Sequence, residues 1–138
     1  MKSYRKVLTF RTQKREEIID ITEQIRTICQ ESQIREGLVL VFPYHTSSAV
    51  YLSDSDFSLT QDFANLLTEL VPAQKDYLHN LTDYKKNAAA HLKAILAGHH
   101  LILPLTGGKL DLGVYQTIYY AEFDGGREKE VLVKIIGE

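Results

Sequence analysis

The chain has 138 residues, 44% hydrophobic and 25% charged, a size and mix that suit one domain with its own core, spanning 1–138, and exclude disordered and fibrous classes. Sixteen basic residues against eighteen acidic ones leave a formal charge of -2, so the broad basic footprint of a nucleic-acid binder is missing. No apolar run approaches the ~18 residues of a membrane span, the basic start of the chain lacks the apolar stretch of a secretory signal, and the single cysteine, Cys29, has no internal partner, which together predict a cytoplasmic protein.

Tyr4, Val7, Leu8 and Phe10, mixed with Lys and Arg, predict a half-exposed edge strand over residues 3–11. From Lys14 to Gln33, Ile18, Ile21, Ile25, Ile28 and Cys29 recur at helical spacing, with Thr12 available as N-cap and Gly37 as the stop. Leu38–Phe42 is a continuous apolar run ended by Pro43, which predicts a strand at the centre of a sheet. The polar segment Ser53–Asp56 then leads into Leu59, Phe63, Leu66, Leu67 and Leu70, an amphipathic helix that ends at Pro72.

Residues 72–86 carry no period and read as a long loop, a kind that is often functional. Three consecutive alanines and Gly98 mark a helix from Asn87 to Ala97. Beyond it only strands are expected: Leu101–Leu105 runs into Thr106-Gly107-Gly108-Lys109, and Asp124-Gly125-Gly126 separates two more β-rich runs, so two hairpins are predicted. The strand Tyr115–Phe123 alternates, with Gln116, Ile118, Tyr120 and Glu122 sharing one face. This order predicts an α+β fold with about three helices.

Three of the five histidines stand beside small polar residues: His45 in YHTSS, His79 in LHN and His91 in NAAAHLK. Three imidazoles with an open fourth position are the pattern of a catalytic zinc site, which holds water or substrate. Their separations match no local zinc motif, so the fold must bring them together; the alternative is three histidines satisfied separately on the surface or in the core. Thr46, Ser47 and Ser48 directly follow a buried strand, where hydroxyls and free amides suit a phosphate or simply satisfy their own turn. Asn87 and His91 lie four apart and should share a helix face. Gln116 and Glu122 are too far apart along a strand for both to serve one small site, and Glu122 is a base, a partner to a metal ligand or a solvated carboxylate. His99 and His100 should turn to opposite faces of a strand start and be structural or exposed.

The segments HTSSAVYL, YLHN, NAAAHLKAILAGHHLILPL, GGKLDLG, QTIYYAEFDG and IIGE resemble, in order and spacing, the landmarks of the YjbQ-like family, also called secondary thiamine-phosphate synthase enzymes. The resemblance spans most of the chain. It implies an α+β fold that includes a β-sandwich, assembled as a homotrimer, with a divalent metal, zinc, held by His45, His79 and His91. Thr46, Ser47, Asn80, Asn87 and Gln116 would be pocket residues; Gln116 and Glu122 are the candidate catalytic residues, at most one of them in any single small site. The implied activity joins a pyrimidine pyrophosphate to a thiazole phosphate; the alternatives are a metal-dependent hydrolase or a non-catalytic trimeric protein that binds a small phosphorylated molecule.

The chain departs from that pattern at three places. Ser53, Asp54 and Ser55 stand where the family has Asn-Glu-Asn, Leu78 where an arginine precedes the His-Asn pair, and Val114-Tyr115 where a Thr-Trp pair precedes Gln116. Loss of the arginine removes a bidentate phosphate contact.

Overall fold

The computed structural model describes residues 1–138. In chain order its elements are β1 (Lys2–Arg11), β2 (Glu17–Asp20), α1 (Thr22–Ser32), β3 (Gly37–Pro43), β4 (Ser48–Ser53), α2 (Phe57–Leu70), α3 (Leu78–Thr82), α4 (Ala88–Ala97), β5 (Leu101–Thr106), β6 (Lys109–Leu110), β7 (Thr117–Glu122) and β8 (Glu128–Gly137). One sheet runs β1-β8-β3-β5-β6 and the other β2-β7-β4, and every strand pair is antiparallel. The fold is therefore α+β, with β1 at an edge and β3 central, as expected.

Alternation decides how the sheets meet. Val39 and Val41 of β3 and Val131, Val133 and Ile135 of β8 are fully buried on the inner face of the larger sheet. Ile118 and Tyr120 of β7 and Val50 of β4 meet them from the smaller sheet, and Ile25, Ile28 and Cys29 of α1 complete the same cluster. Each such aliphatic side chain contributes about 1.5–3 kcal/mol by leaving water. Burial also pushes the Cys29 thiol up to about 11, so it behaves as a small inert hydrophobe.

The outer face of the smaller sheet is covered as well. Ala49, Ala121 and Phe123 pack against Leu67 of α2 and Ala90 and Ala94 of α4, and all six residues of β7 are buried as a result. The alanines keep α4 close to β4, and that proximity carries His91 to the loop that leaves β3.

Several expectations need correction. Residues 17–20 are a strand, not the first turns of a helix, because Glu17–Asp20 pairs with Tyr119–Glu122 of β7. The regular isoleucine spacing reflects burial of Ile18 on one side of the small sheet and of Ile21, Ile25 and Ile28 on the other. Thr12 is thus no N-cap. Its hydroxyl accepts from Gly126 N at 3.0 Å, while the start of α1 is served by the Asp20 carboxylate, which accepts from Thr22 N at 2.9 Å. The helix ends at Gln33, in a left-handed conformation at φ 59°, and Gly37 instead opens β3.

Helices number four, because the long loop contains the short α3. Only one predicted hairpin forms, β5–β6 through Gly107 and Gly108, both at positive φ. The Asp124-Gly125-Gly126 segment instead carries the chain from the small sheet to the large one. His99 and His100 do not diverge: their rings stack with centroids 5.0 Å apart, and both are exposed.

Candidate functional site

A polar cavity of about 310 Å³ opens where the loop after β3, the start of α4 and the start of β8 converge. The loop contributes Tyr44, His45, Thr46 and Ser47, and α4 with its lead-in contributes Asp83, Lys85, Asn87 and His91. Arg127 and Lys129 complete the wall from β8 and the residue before it. Three cations and one carboxylate line the cavity, with Glu122 and Asp124 behind it as the partners of Lys129 and Arg127.

The back of the site is a fully satisfied buried carboxylate. Glu122, with no exposure, accepts from Tyr120 Oη at 2.6 Å, from Ser47 Oγ at 3.0 Å and from Asp124 N at 2.9 Å. Lys129 Nζ lies 3.4 Å from the same carboxylate and is itself 1% exposed. The Tyr120 hydroxyl is held far above its ordinary range, by burial first and by its bond to Glu122 second. Glu122 is therefore neither solvated nor a free base. It fixes Lys129 and Ser47 in the cavity wall.

The hydrogen-bond partners determine where each imidazole carries its proton in the neutral ring. His45 Nε2 accepts from the backbone N–H of Glu130 at 2.9 Å, beside the bond from Tyr44 N to Glu130 O. The ring thus continues the β3–β8 ladder past Pro43 and keeps Nδ1–H as its donor. Burial and the nearby Lys129 ammonium lower its pKa below 6.5, which favours this accepting, neutral state.

His91 Nδ1 faces the Thr46 carbonyl at 3.1 Å; a carbonyl only accepts, so Nδ1 is protonated and Nε2 is free. Asn87 Nδ2 donates to Asp124 Oδ2 at 2.9 Å, which turns its Oδ1 toward His79 Nε2 at 3.1 Å. The Asp83 carboxylate is a second acceptor 3.3 Å from that nitrogen, so His79 carries its proton on Nε2 and leaves Nδ1 free. The rings of His79 and His91 meet edge to face with centroids 5.1 Å apart. Asp124, behind Asn87, also receives Arg127 at 3.3 Å and so orients two groups of the wall at once.

The sequence matches the family described as UPF0047 protein YjbQ-like over residues 6–138. The chain belongs to that family. A UPF0047 protein of Archaeoglobus fulgidus is 45% identical over 94% of this chain and 98% of its own length. The UPF0047 protein YugU of Bacillus subtilis is 32% identical over 96% and 98%. Among solved structures, a protein of unknown function from Sulfolobus solfataricus superposes with a TM-score of 0.94 at 33% identity, covering 99% of both chains. A hypothetical protein from Aeropyrum pernix gives 0.92 at 31% identity, covering 98% of this chain and 99% of its own.

Within this YjbQ-like fold the residues singled out from sequence separate into groups. His45, Thr46, Ser47, Asn87 and His91 share the polar cavity, and His79 stands behind Asn87. Asn80 is directed elsewhere: its Oδ1 accepts from Ala88 N at 3.0 Å and caps α4. Gln116 precedes β7, exposed, and accepts from Gly113 N at 2.8 Å. It sits at the opposite end of β7 from Glu122, about 20 Å away at strand rise.

The cations Lys85, Arg127 and Lys129 were not foreseen. For Lys129 a signal existed, since it occupies an inward position of the alternating run Glu128–Gly137, where a lysine implies a buried partner.

The three histidines are not gathered into a single three-ligand set in this structure. No group of three or more His, Cys, Asp or Glu side chains is placed to hold a metal ion, and the only lone pair of the neutral His45 ring is engaged by Glu130 N–H. Two free ring nitrogens remain, on His79 and His91, one fewer than a catalytic zinc site takes from protein.

Proposed function

We propose that this chain is an enzyme that binds a small phosphorylated or pyrophosphorylated molecule in the polar cavity and acts on it as a transferase, as secondary thiamine-phosphate synthases do. The observation that carries the reading is the convergence of Lys85, Arg127 and Lys129 with His45 and His91 on one cavity. Arg127 and Lys85 would take phosphate oxygens by charge-assisted bonds, and the His45 Nδ1–H would add a neutral donor. Lys129, anchored by Glu122, would stabilise charge that develops on a departing pyrophosphate without needing to move.

A metal-assisted form of the reading, including a metal-dependent hydrolase, has one observation in its favour: the free nitrogens of the adjoining His79 and His91 rings. These two residues would hold the ion, with zinc the expected one. Location in the cytoplasm and assembly as a homotrimer complete the proposal; exposed Leu78, Leu81, Ile95 and Leu96 on α3 and α4 give apolar surface for such contacts.

Calorimetric titration with pyrophosphate, in chelator and again with zinc, tests binding. Saturable binding in chelator that weakens roughly tenfold to a hundredfold in Arg127→Ala supports the cationic cavity. Binding that needs zinc and is lost in His79→Ala with His91→Ala selects the metal-assisted form. No binding in either condition sinks both, and release of pyrophosphate from a pyrimidine pyrophosphate plus a thiazole phosphate separates an enzyme from a non-catalytic binder.

A further inference from the structure

A second cavity, of about 400 Å³, lies between β2, α2 and α4 and shares no lining residue with the polar cavity. Its volume falls in the range of small-molecule sites. Its floor is Lys93 of α4, whose side chain is only 4% exposed. Burying an ammonium is costly unless it is paired, and the chain contains two solutions to that problem. Lys129 is paired with a carboxylate of no exposure, a permanent structural partner. Lys93 is paired at 2.9 Å with Glu16, which is 50% exposed and reaches in from the loop before β2.

The remaining donors of Lys93 are only partly filled. Thr68 Oγ1 takes one at 3.4 Å, and an ammonium has three, so one N–H has no protein partner. Two other carboxylates line the cavity, and both are engaged: Glu17 accepts from Gln13 N at 2.9 Å and Lys14 N at 3.2 Å and closes its own loop, and Glu122 is held by Tyr120, Ser47 and Lys129. Lys14 adds a second cation, whereas Ile18, Ala64 and Leu67 form an apolar wall.

We propose that this cavity is a second ligand site for a small amphipathic carboxylate, with its carboxylate on Lys93 and its apolar end against Ile18, Ala64 and Leu67. Glu16 occupies the place of that carboxylate when no ligand is present and swings to solvent when one binds. A cationic ligand is disfavoured, because it would meet Lys93 and Lys14 with the three lining glutamates, Glu16, Glu17 and Glu122, already engaged.

The probe is hexanoate, with hexylamine as control, titrated into the full chain while backbone amide resonances are followed. Saturable shifts at Ile18 and Leu67 are expected with hexanoate and not with hexylamine. Glu16→Gln, an exposed and conservative change, should tighten hexanoate severalfold by removing the internal competitor, and Lys93→Met should abolish the shifts. The proposal is overturned if neither parent nor Glu16→Gln shows saturable shifts, if Glu16→Gln weakens binding, if hexylamine acts alike, or if shifts appear only around His45 and His91. Retained binding in a folded Lys93→Met would also overturn it; should that variant not fold, the Glu16→Gln comparison decides alone.

Discussion

Lys129 Nζ lies 3.4 Å from the Glu122 carboxylate, at 1% and 0% side-chain exposure, so the polar cavity rests on an ion pair sealed from water. Removing one partner leaves the other as an uncompensated buried charge. Glu122→Gln and Lys129→Met are each expected to cost about 3–5 kcal/mol, and the double variant less than the sum of the two. Urea unfolding of the four proteins of that cycle checks this; additive losses would mean that the two charges do not stabilise each other.

His45 contributes a pH dependence whose sign follows from its surroundings. Burial and the Lys129 ammonium depress its pKa below 6.5, so between the folded and unfolded values the unfolded chain holds more protons. The stability it contributes is complete above about 6.5 and is lost as pH falls through the folded value. His45→Gln keeps an acceptor for Glu130 N–H and cannot titrate. Its unfolding free energy should fall less than the parent's on acidification from neutral pH, and parallel curves would contradict the assignment.

Asn87 is 6% exposed and stands between His79 and Asp124. Asn87→Ala should destabilise the fold by about 1–3 kcal/mol, the cost of stranding buried partners, and should leave His79 Nε2 with Asp83 as its one acceptor. Thermal unfolding measures the first effect, and a shift of the His79 Nε2–H signal in long-range nitrogen spectra the second.

Gly37 and Gly137 face each other in the β3–β8 pair. A Cβ on Gly37 would collide with the Ile136 carbonyl oxygen, and one on Gly137 with the Glu36 carbonyl oxygen. Gly137→Ala should therefore cost about 1–3 kcal/mol or more, through displaced backbone. A midpoint in urea equal to the parent's would show that the strands can separate without loss.

The larger sheet was legible in the sequence because β3 and the β5–β6 hairpin carry local signals, an apolar run and a Gly-Gly turn. β2 was not, because Ile18 and Ile21 keep helical spacing while pairing with β7 fixes them as strand and strand end. Tertiary hydrogen bonding overrode local period there. Of the site, the histidines stood out by residue type, but their partners did not. His45 as an acceptor for Glu130, and Glu122 as an anchor for Lys129, arise from contacts 85 and 7 residues apart that no spacing rule encodes. Gln116 and Glu122 looked like one polar face, yet one ends in a turn and the other in the core.

The most direct test of the polar cavity as the phosphate site is a set of histidine ring nitrogen spectra recorded with and without pyrophosphate. The account predicts Nδ1–H signals for His45 and His91 and an Nε2–H signal for His79, with saturable shifts at His45 and His91 on addition of pyrophosphate and none at the exposed His99 and His100. Shifts confined to His99 and His100, or no shift at any histidine, would contradict it.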